Sequence, residues 1–244
     1  MTTQPTAAML AIGDELLSGR TKDKNIGYLA DQMTLAAIEL KEVRIVADDQ
    51  DAIVAAVNAL RERYTYLFTS GGIGGTHDDI TADSVSAAFG LACIYNEEAM
   101  ERLAASYERR GIEFNASRQR MARMPEGATL IDNPVSTAPG FKIGNVYVMA
   151  GVPQVFQAML TNVLPTLEGG VRMISQVIDC SFGEGDIGTQ LAEIQKAHPG
   201  TSIGSYPRFT ETGFNTQLVV RGRDQAAVDA AGGAIRAMIE ALKR

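Results

Sequence analysis

The 244-residue chain contains no tryptophan, only two histidines and only two cysteines. So small a stock of imidazoles and thiols excludes a disulfide scaffold, a cysteine-rich zinc module and a His-rich metal centre. Cys93 and Cys180 stand in apolar, strand-like surroundings, and a reducing compartment, the cytoplasm, is the expectation. Positive charge is short as well: 22 Lys and Arg face 29 Asp and Glu, for a formal net charge of -7. That balance gives no long-range attraction to phosphate backbones or anionic lipid, so neither a nucleic-acid partner nor a membrane is expected. Long hydrophobic runs are missing too; the first apolar stretch, residues 7–12, is too short for a signal segment or a membrane span. What remains is ordinary for a globular protein: 45% hydrophobic residues, and 24 glycines against 8 prolines. The length suits one large or two modest domains, each with a core of its own.

Along the first hundred residues, apolar alternation and helical spacing take turns. Residues 8–12 read as a strand, 25–37 as a helix, 41–47 as a strand, 51–63 as a helix and 65–69 as a strand. Ile26, Leu29, Ala30 and Met33 fall at i, i+3, i+4 and i+7, as do Ile53, Ala56, Val57 and Leu60, which places one apolar stripe on each helix. The βαβαβ rhythm predicts a parallel sheet covered by helices on both faces. A helix over 78–88, a short strand over 91–94 and an amphipathic helix over 97–110 follow. Residues 124–141 are rich in turn signals; a hairpin is expected from 141–143 and 146–150 around Gly144-Asn145, then a helix over 155–164. The best boundary is Glu168-Gly169-Gly170, giving domains of 1–168 and 169–244. The second reads as strand 171–182, helix 186–197, strands 201–206 and 214–221 and helix 226–242, a small α+β βαββα unit.

The most informative segment is Ser70-Gly71-Gly72-Ile73-Gly74-Gly75-Thr76-His77-Asp78-Asp79, between an expected strand and an expected helix. Glycines there permit positive φ and close backbone approach, and N–H groups at a helix start attract anions such as phosphate. No Lys-Ser/Thr pair follows, so this is not a Walker loop, and the spacing and position do not match a dinucleotide fingerprint. The bland alternative is a Gly-rich turn with Thr76 or Asp78 as N-cap. Asp78 and Asp79 beside a phosphate cradle would repel the ligand without a divalent cation, and oxygen donors suit magnesium or a similar hard ion. Ile12-Gly13-Asp14-Glu15 and Val46-Ala47-Asp48-Asp49 end two of the expected strands. In a parallel sheet these acidic tips lie on the same edge as the glycine loop, although Asp14 and Glu15 serve equally as helix-start or turn acids and a solvated loop pair is the readier reading of Asp48 and Asp49.

Other constellations carry less. His198, beside Pro199-Gly200, reads as a helix-end residue. Gly200-Thr201-Ser202-Ile203-Gly204 matches the hydrolase serine motif in letters, but a loop running into a strand is the wrong context for a nucleophile elbow. Arg118, Arg120 and Arg123 either meet an anionic ligand from the loop side or form a solvated helix face.

Several separated motifs, in order, resemble one family. They are Ile12-Gly13-Asp14-Glu15-Leu16-Leu17-x-Gly19 with Asn25, Gly71-Gly72-Ile73-Gly74-x-Thr76-x-Asp78-Asp79-x-Thr81, Pro125-Glu126-Gly127-Ala128, Asn133-Pro134, Ala138-Pro139-Gly140-Phe141 and Gly151-x-Pro153. The chain from about 9 to 164 resembles the MoaB/Mog-type molybdopterin-binding domain, with the N-terminal region of competence/damage-inducible protein A and the corresponding domain of eukaryotic FAD synthase as look-alikes. Glu184-Gly185-Asp186-Ile187 and residues 202–207 resemble the small domain that follows in those proteins. The resemblance implies a three-layer α/β sandwich with a mostly parallel sheet. It also implies either binding of molybdopterin or a related nucleotide, with or without adenylyl transfer, or a metal-dependent pyrophosphatase acting on ADP-ribose or FAD. Of these the pyrophosphatase is the expectation, with Mg2+, Mn2+ or Co2+ held by Asp78 and Asp79 and these two as the catalytic pair. Gly71, Gly72, Gly74, Gly75, Thr76, Asp14, Glu15, Asn25, Gly140 and Pro153 are the expected phosphate- and substrate-binding residues. Gly75 departs from the family's usual Pro. No nicotinamide-mononucleotide deamidase domain or FAD-synthesising domain follows in this sequence, so neither activity is expected. A homo-oligomer, a dimer, is expected in solution; Ala226, Val228, Ala231 and Ala234 offer a helix surface for the small domain's own sheet or for a neighbour.

Overall fold

A computed structural model describes residues 4–210 and 213–243. Two compact units divide the chain, one ending at Gly170 and the other starting at Val171. The first opens with β1 (Thr6–Ile12), a one-turn α1 (Asp14–Leu17), α2 (Asn25–Leu35), β2 (Glu39–Val46), α3 (Gln50–Arg63) and β3 (Tyr66–Ser70). It continues through α4 (Thr81–Phe89), β4 (Cys93–Tyr95), α5 (Glu97–Arg109), the one-turn α6 (Ala116–Gln119) and two three-residue strands, β5 (Arg123–Pro125) and β6 (Thr129–Ile131). The hairpin β7 (Gly140–Ile143) and β8 (Val146–Met149) and the helix α7 (Pro153–Val163) complete it.

Six strands form the main sheet in the order β2-β1-β3-β8-β7-β6. β2, β1, β3 and β8 run parallel, and the hairpin turns the last two pairings antiparallel. Every residue of β1 from Ala7 to Ile12 is buried, because both faces of the sheet are covered. Ala8, Leu10 and Ile12 point into a core made with Ile53, Ala56, Val57 and Leu60 of α3, Val85 of α4 and Leu103 of α5. Ala7 and Met9 point the other way, onto Leu29 and Met33 of α2 and Phe156, Met159 and Leu160 of α7. The three-layer α/β sandwich is therefore present, and the apolar stripes expected on the first two long helices are the faces that bury. β4 and β5 pair with each other in a separate two-stranded sheet.

Several boundaries move for identifiable reasons. α2 stops at Leu35, before Ala37, which adopts φ 56. The helix expected to start at Asp78 starts at Thr81, since the Thr81 N–H bonds the Gly72 carbonyl and its hydroxyl bonds the Gly71 carbonyl. Its N-cap is Ile80, with no side-chain cap, so neither Thr76 nor Asp78 caps it. The turn-rich stretch 124–141 also holds β6, and β5 starts at its edge; neither was expected.

The second unit contains β9 (Ile174–Cys180), α8 (Glu184–Ala197), β10 (Thr201–Thr210), β11 (Gly213–Gly222) and α9 (Gln225–Leu242). Its antiparallel sheet, in the order β10-β11-β9, packs Ile178, Leu218 and Val220 against Ile187 of α8 and Val228, Ala231 and Ile235 of α9. Val228 and Ala231 thus pack within their own unit. Ser202 lies within β10, with no strand-turn-helix elbow around it, and His198 is the residue that ends α8. No helix among the described residues is long and apolar enough to cross a membrane.

Candidate functional site

The parallel strands β1, β2, β3 and β8 end on one edge of the sheet, and the turns after them build a cleft of about 510 Å³. Gly13, Gly71 and Gly151 give it a floor made largely of main chain. Two bonds tie that floor to neighbouring strand ends: the Gly13 N–H donates to the Val46 carbonyl and the Gly71 N–H to the Met149 carbonyl, each at 3.1 Å. Gly71 has φ 110, and a Cβ there would strike the Ile12 carbonyl; Gly72 has φ 66, and a Cβ there would strike the Thr81 hydroxyl. Only glycine fits these two positions.

Four carboxylates line the cleft: Glu15, Asp48, Asp78 and Asp79. Glu15 folds back over Gly13, where a Cβ would stand 2.5 Å from its carboxylate, and Asp79 folds over Gly74 in the same way, also 2.5 Å. The Thr76 N–H donates to Asp79 Oδ2 at 2.8 Å, and the Thr76 hydroxyl donates to the same oxygen. That hydroxyl has one proton to share between neighbouring acids. Thr76, followed by its own backbone N–H, holds the Asp78 carboxyl below the usual carboxylate range. Across the cleft, burial pushes the Asp48 carboxyl up, the Asp14 N–H at 3.0 Å opposes the shift, and the charges of Asp14, Glu15 and Asp78 add to it. Negative charge is thus concentrated at one edge.

Donors face it. The amides of Gly72, Ile73 and Gly74 have no partner among the described residues, and α7 enters the cleft through Gly151, Val152 and Pro153 with no side-chain cap. Among the described residues no three His, Cys, Asp or Glu side chains form a ready-made metal set. His77 is exposed beside Asp78, 3.9 Å from it.

The expected site residues divide into three groups. Asp78, Asp79, Gly71, Gly72, Gly74, Glu15 and Pro153 line the cleft. Asp14 and Thr76 stand behind its carboxylates as donors, and Gly75 packs where a Cβ would meet the Ser117 carbonyl at 2.6 Å. Asn25 and Gly140 brace the frame. The buried Asn25 amide donates to Ser70 Oγ and the Gly151 carbonyl, both at 2.8 Å, joining the ends of β3 and β8, while Gly140 lets β7 approach the Val148 carbonyl. Sequence reasoning left Thr21, Met121, Ser136 and Val152 off the site, though all four line the cleft. Thr21, Ser136 and Val152 sit on loops and Met121 in a three-residue 3-10 turn, where periodicity gives no signal. Asn133 was cited as a motif residue only; its side chain accepts from the Val135 and Ser136 amides and donates to the Ala138 carbonyl, shaping the loop that carries Ser136.

Residues 8–169 match the family profile described as "Probable molybdopterin binding domain". The chain belongs to that molybdopterin-binding family. Its second unit matches the middle domain of FAD synthase over residues 172–243. A CinA-like protein of Desulfosudis oleivorans is 35% identical over 84% of this chain, which spans about half, 52%, of that relative. A protein of Pyrobaculum arsenaticum is 34% identical over 85% of this chain and 82% of its own length. The crystal structure of CinA from Thermoplasma acidophilum, whose function is given as unknown, superimposes with a TM-score of 0.62 at 28% identity, over 67% of this chain and 98% of that one. The molybdopterin-binding family, CinA-like members included, thus supplies the frame in which the cleft sits.

Proposed function

We propose that the cleft is a metal-dependent nucleotide pyrophosphatase site that splits ADP-ribose-like or FAD-like dinucleotides at the diphosphate and releases AMP. The observation that carries this reading is the meeting of unspent amides at Gly72, Ile73 and Gly74 with the carboxylates of Asp78 and Asp79 in one cleft. Amides hold phosphate oxygens; carboxylates would repel them unless a cation lies between. The donor set suits a hard ion of the magnesium type, which is commonly held by one or two carboxylates together with phosphate and water rather than by a preformed protein cage. Asp78 and Asp79 would hold it, and when bound it would polarise the phosphoryl group and lower the pKa of water. The chain's own contribution is to fix the diphosphate against the loop amides and the α7 start, to keep Asp79 oriented through Thr76, and to offer Glu15 or Asp48 as acceptor for the proton of the attacking water.

A second reading, binding of a pterin such as molybdopterin with or without adenylyl transfer, is supported by the family match over residues 8–169. AMP release from ADP-ribose and FAD, assayed chromatographically with magnesium, manganese or cobalt and run beside a molybdopterin titration, separates the two. Turnover supports the hydrolase; tight pterin binding without turnover of any dinucleotide overturns it. Calorimetry adds an independent measure: ADP-ribose affinity collapses in excess EDTA on this reading, and undiminished binding there would place the pterin reading ahead. The molecule is also proposed to work as a homodimer. Edge strand β2 leaves Val43 and Ile45 exposed, and a 26 kDa particle in light scattering would refute the dimer.

A further inference from the structure

The segment packed behind the glycine loop carries three arginines, and they are not equivalent. Arg123 forms a fork with Asp83, with Nη1 2.9 Å from Oδ2 and Nη2 2.5 Å from Oδ1. Arg118 donates to the Glu113 carbonyl and stacks over the Tyr107 ring at 5.2 Å. Among the described residues Arg120 has neither a carboxylate nor a ring beside it. Its Nη2 donates to the main-chain carbonyl of Asp79 at 3.2 Å, its Nε is buried without a hydrogen bond, and no carboxylate pairs with it among the described residues. Its side chain borders a cavity of about 10 Å³ shared with Gly72, Ile73, Gly74 and Asp79, room for roughly one water. A guanidinium with no carboxylate paired to it is therefore held against the loop that carries the unspent amides and two carboxylates, with the Asp83–Arg123 fork bordering the same small cavity.

We propose that Arg120 is the positioning residue of this loop and the fixed counter-charge for the phosphates it takes up. The proposal rests on the reading that the cleft binds a diphosphate. A cation held at the Asp79 carbonyl orients the Asp78-Asp79 turn and draws an anion toward the amides, and the same charge opposes a metal ion at the carboxylates. Removing it must then move two affinities in opposite directions. Loosening of the loop taken by itself would weaken both, so opposite signs isolate the charge from the positioning, which the exchange rates read separately.

Calorimetry on the full chain reads these signs directly, with Mn2+ alone and with inorganic pyrophosphate at saturating Mn2+, for Arg120→Gln and Arg120→Lys. Arg120→Gln is expected to weaken pyrophosphate about tenfold, the scale of one charge-assisted hydrogen bond, while binding Mn2+ at least as tightly as the parent. Arg120→Lys is expected to recover most of the anion affinity. Hydrogen exchange of the amides of residues 72–81 without ligand should quicken in Arg120→Gln and hold in Arg120→Lys. A parallel loss of both affinities, or unchanged pyrophosphate affinity, overturns the counter-charge role, and unchanged exchange overturns the positioning role. If the parent itself binds no pyrophosphate with Mn2+, the diphosphate reading fails and takes the counter-charge with it; the exchange measurement still decides whether Arg120 positions the loop.

Discussion

The glycine-loop side of the cleft and the second unit start their helices differently. In the second unit, α9 begins at Asp224, whose carboxylate accepts from the Ala227 N–H at 2.9 Å, and at the start of α8 the Gly183 N–H donates to Asp186 at 3.2 Å. In the first unit Asn96 caps α5 and Asp49, next to the cleft residue Asp48, caps α3 in the same manner. α4, which follows the glycine loop, begins after Ile80, and α7 enters the cleft after Val152; neither has a side-chain cap. Ordinary helices satisfy their first amides internally. The donors left unspent at the cleft are those of the glycine loop, Gly72, Ile73 and Gly74, because the Thr81 N–H already bonds the Gly72 carbonyl and α7 opens on Pro153, which has no N–H.

That contrast can be broken, and the largest expected effect is on chemistry. Asp79→Asn should lower turnover of ADP-ribose by more than about 100-fold while leaving thermal unfolding within a few degrees, as a metal-holding carboxylate would. Turnover equal to the parent at saturating metal would remove Asp79 from that role. Next in size is the loop backbone: Gly72→Ala adds a Cβ at φ 66 against the Thr81 hydroxyl and should cost about 2 kcal/mol in urea unfolding. A neutral result would mean that the turn relaxes freely. Gly75→Pro should cost about 1–3 kcal/mol rather than stabilise, because the Ser117 carbonyl occupies the space beside Gly75.

Asp224→Ala supplies the control from the second unit. Losing that cap should cost about 1 kcal/mol with turnover unchanged; a fall in turnover would sink the division of labour between the two kinds of helix start. The smallest effect concerns Asp48. A carboxyl whose folded pKa stands above its unfolded value favours the native state when protonated, so its ionised form costs stability at neutral pH and the cost fades as pH falls through the raised value. Asp48→Asn should therefore raise stability by less than about 1 kcal/mol near pH 7, discounted for partial solvent exposure, and leave it unchanged near pH 3. Unfolding curves at the two pH values check the sign.

Much of the frame was legible because it repeats. Leu29 and Met33, and all four of Ile53, Ala56, Val57 and Leu60, are buried as their spacing required. The rule that parallel strands end on one edge was enough to bring Glu15 toward the glycine loop, whereas Asp48 reads as a solvated loop acid in the sequence and joins the cleft only in the fold. Other features escaped because nothing local encodes them. β5 and β6 are three residues each, too short for a period, and their pairing partners lie far along the chain or across a turn. The start of α4 was misplaced because Asp78 and Asp79 look like capping acids, while Thr81, which sets the true start, is recruited by a carbonyl ten residues earlier. Arg120 reads as a surface cation until the fold brings the Asp79 carbonyl to it.

The floor of the cleft has a consequence for how such a site diversifies. Where Gly71 and Gly151 meet, a Cβ on Gly151 would lie 3.3 Å from the Gly71 Cα, so main-chain atoms, not side chains, set the depth there. Mutation has little alphabet available at those positions. Variation in what the cleft accepts must then accumulate on the rim, at Thr21, Met121, Ser136 and Val152, each exchangeable without disturbing a strand. Lineages sharing this frame can part company in their ligands through a handful of loop substitutions while the glycines stay fixed, and a library confined to those four codons is the shortest route to a changed selectivity.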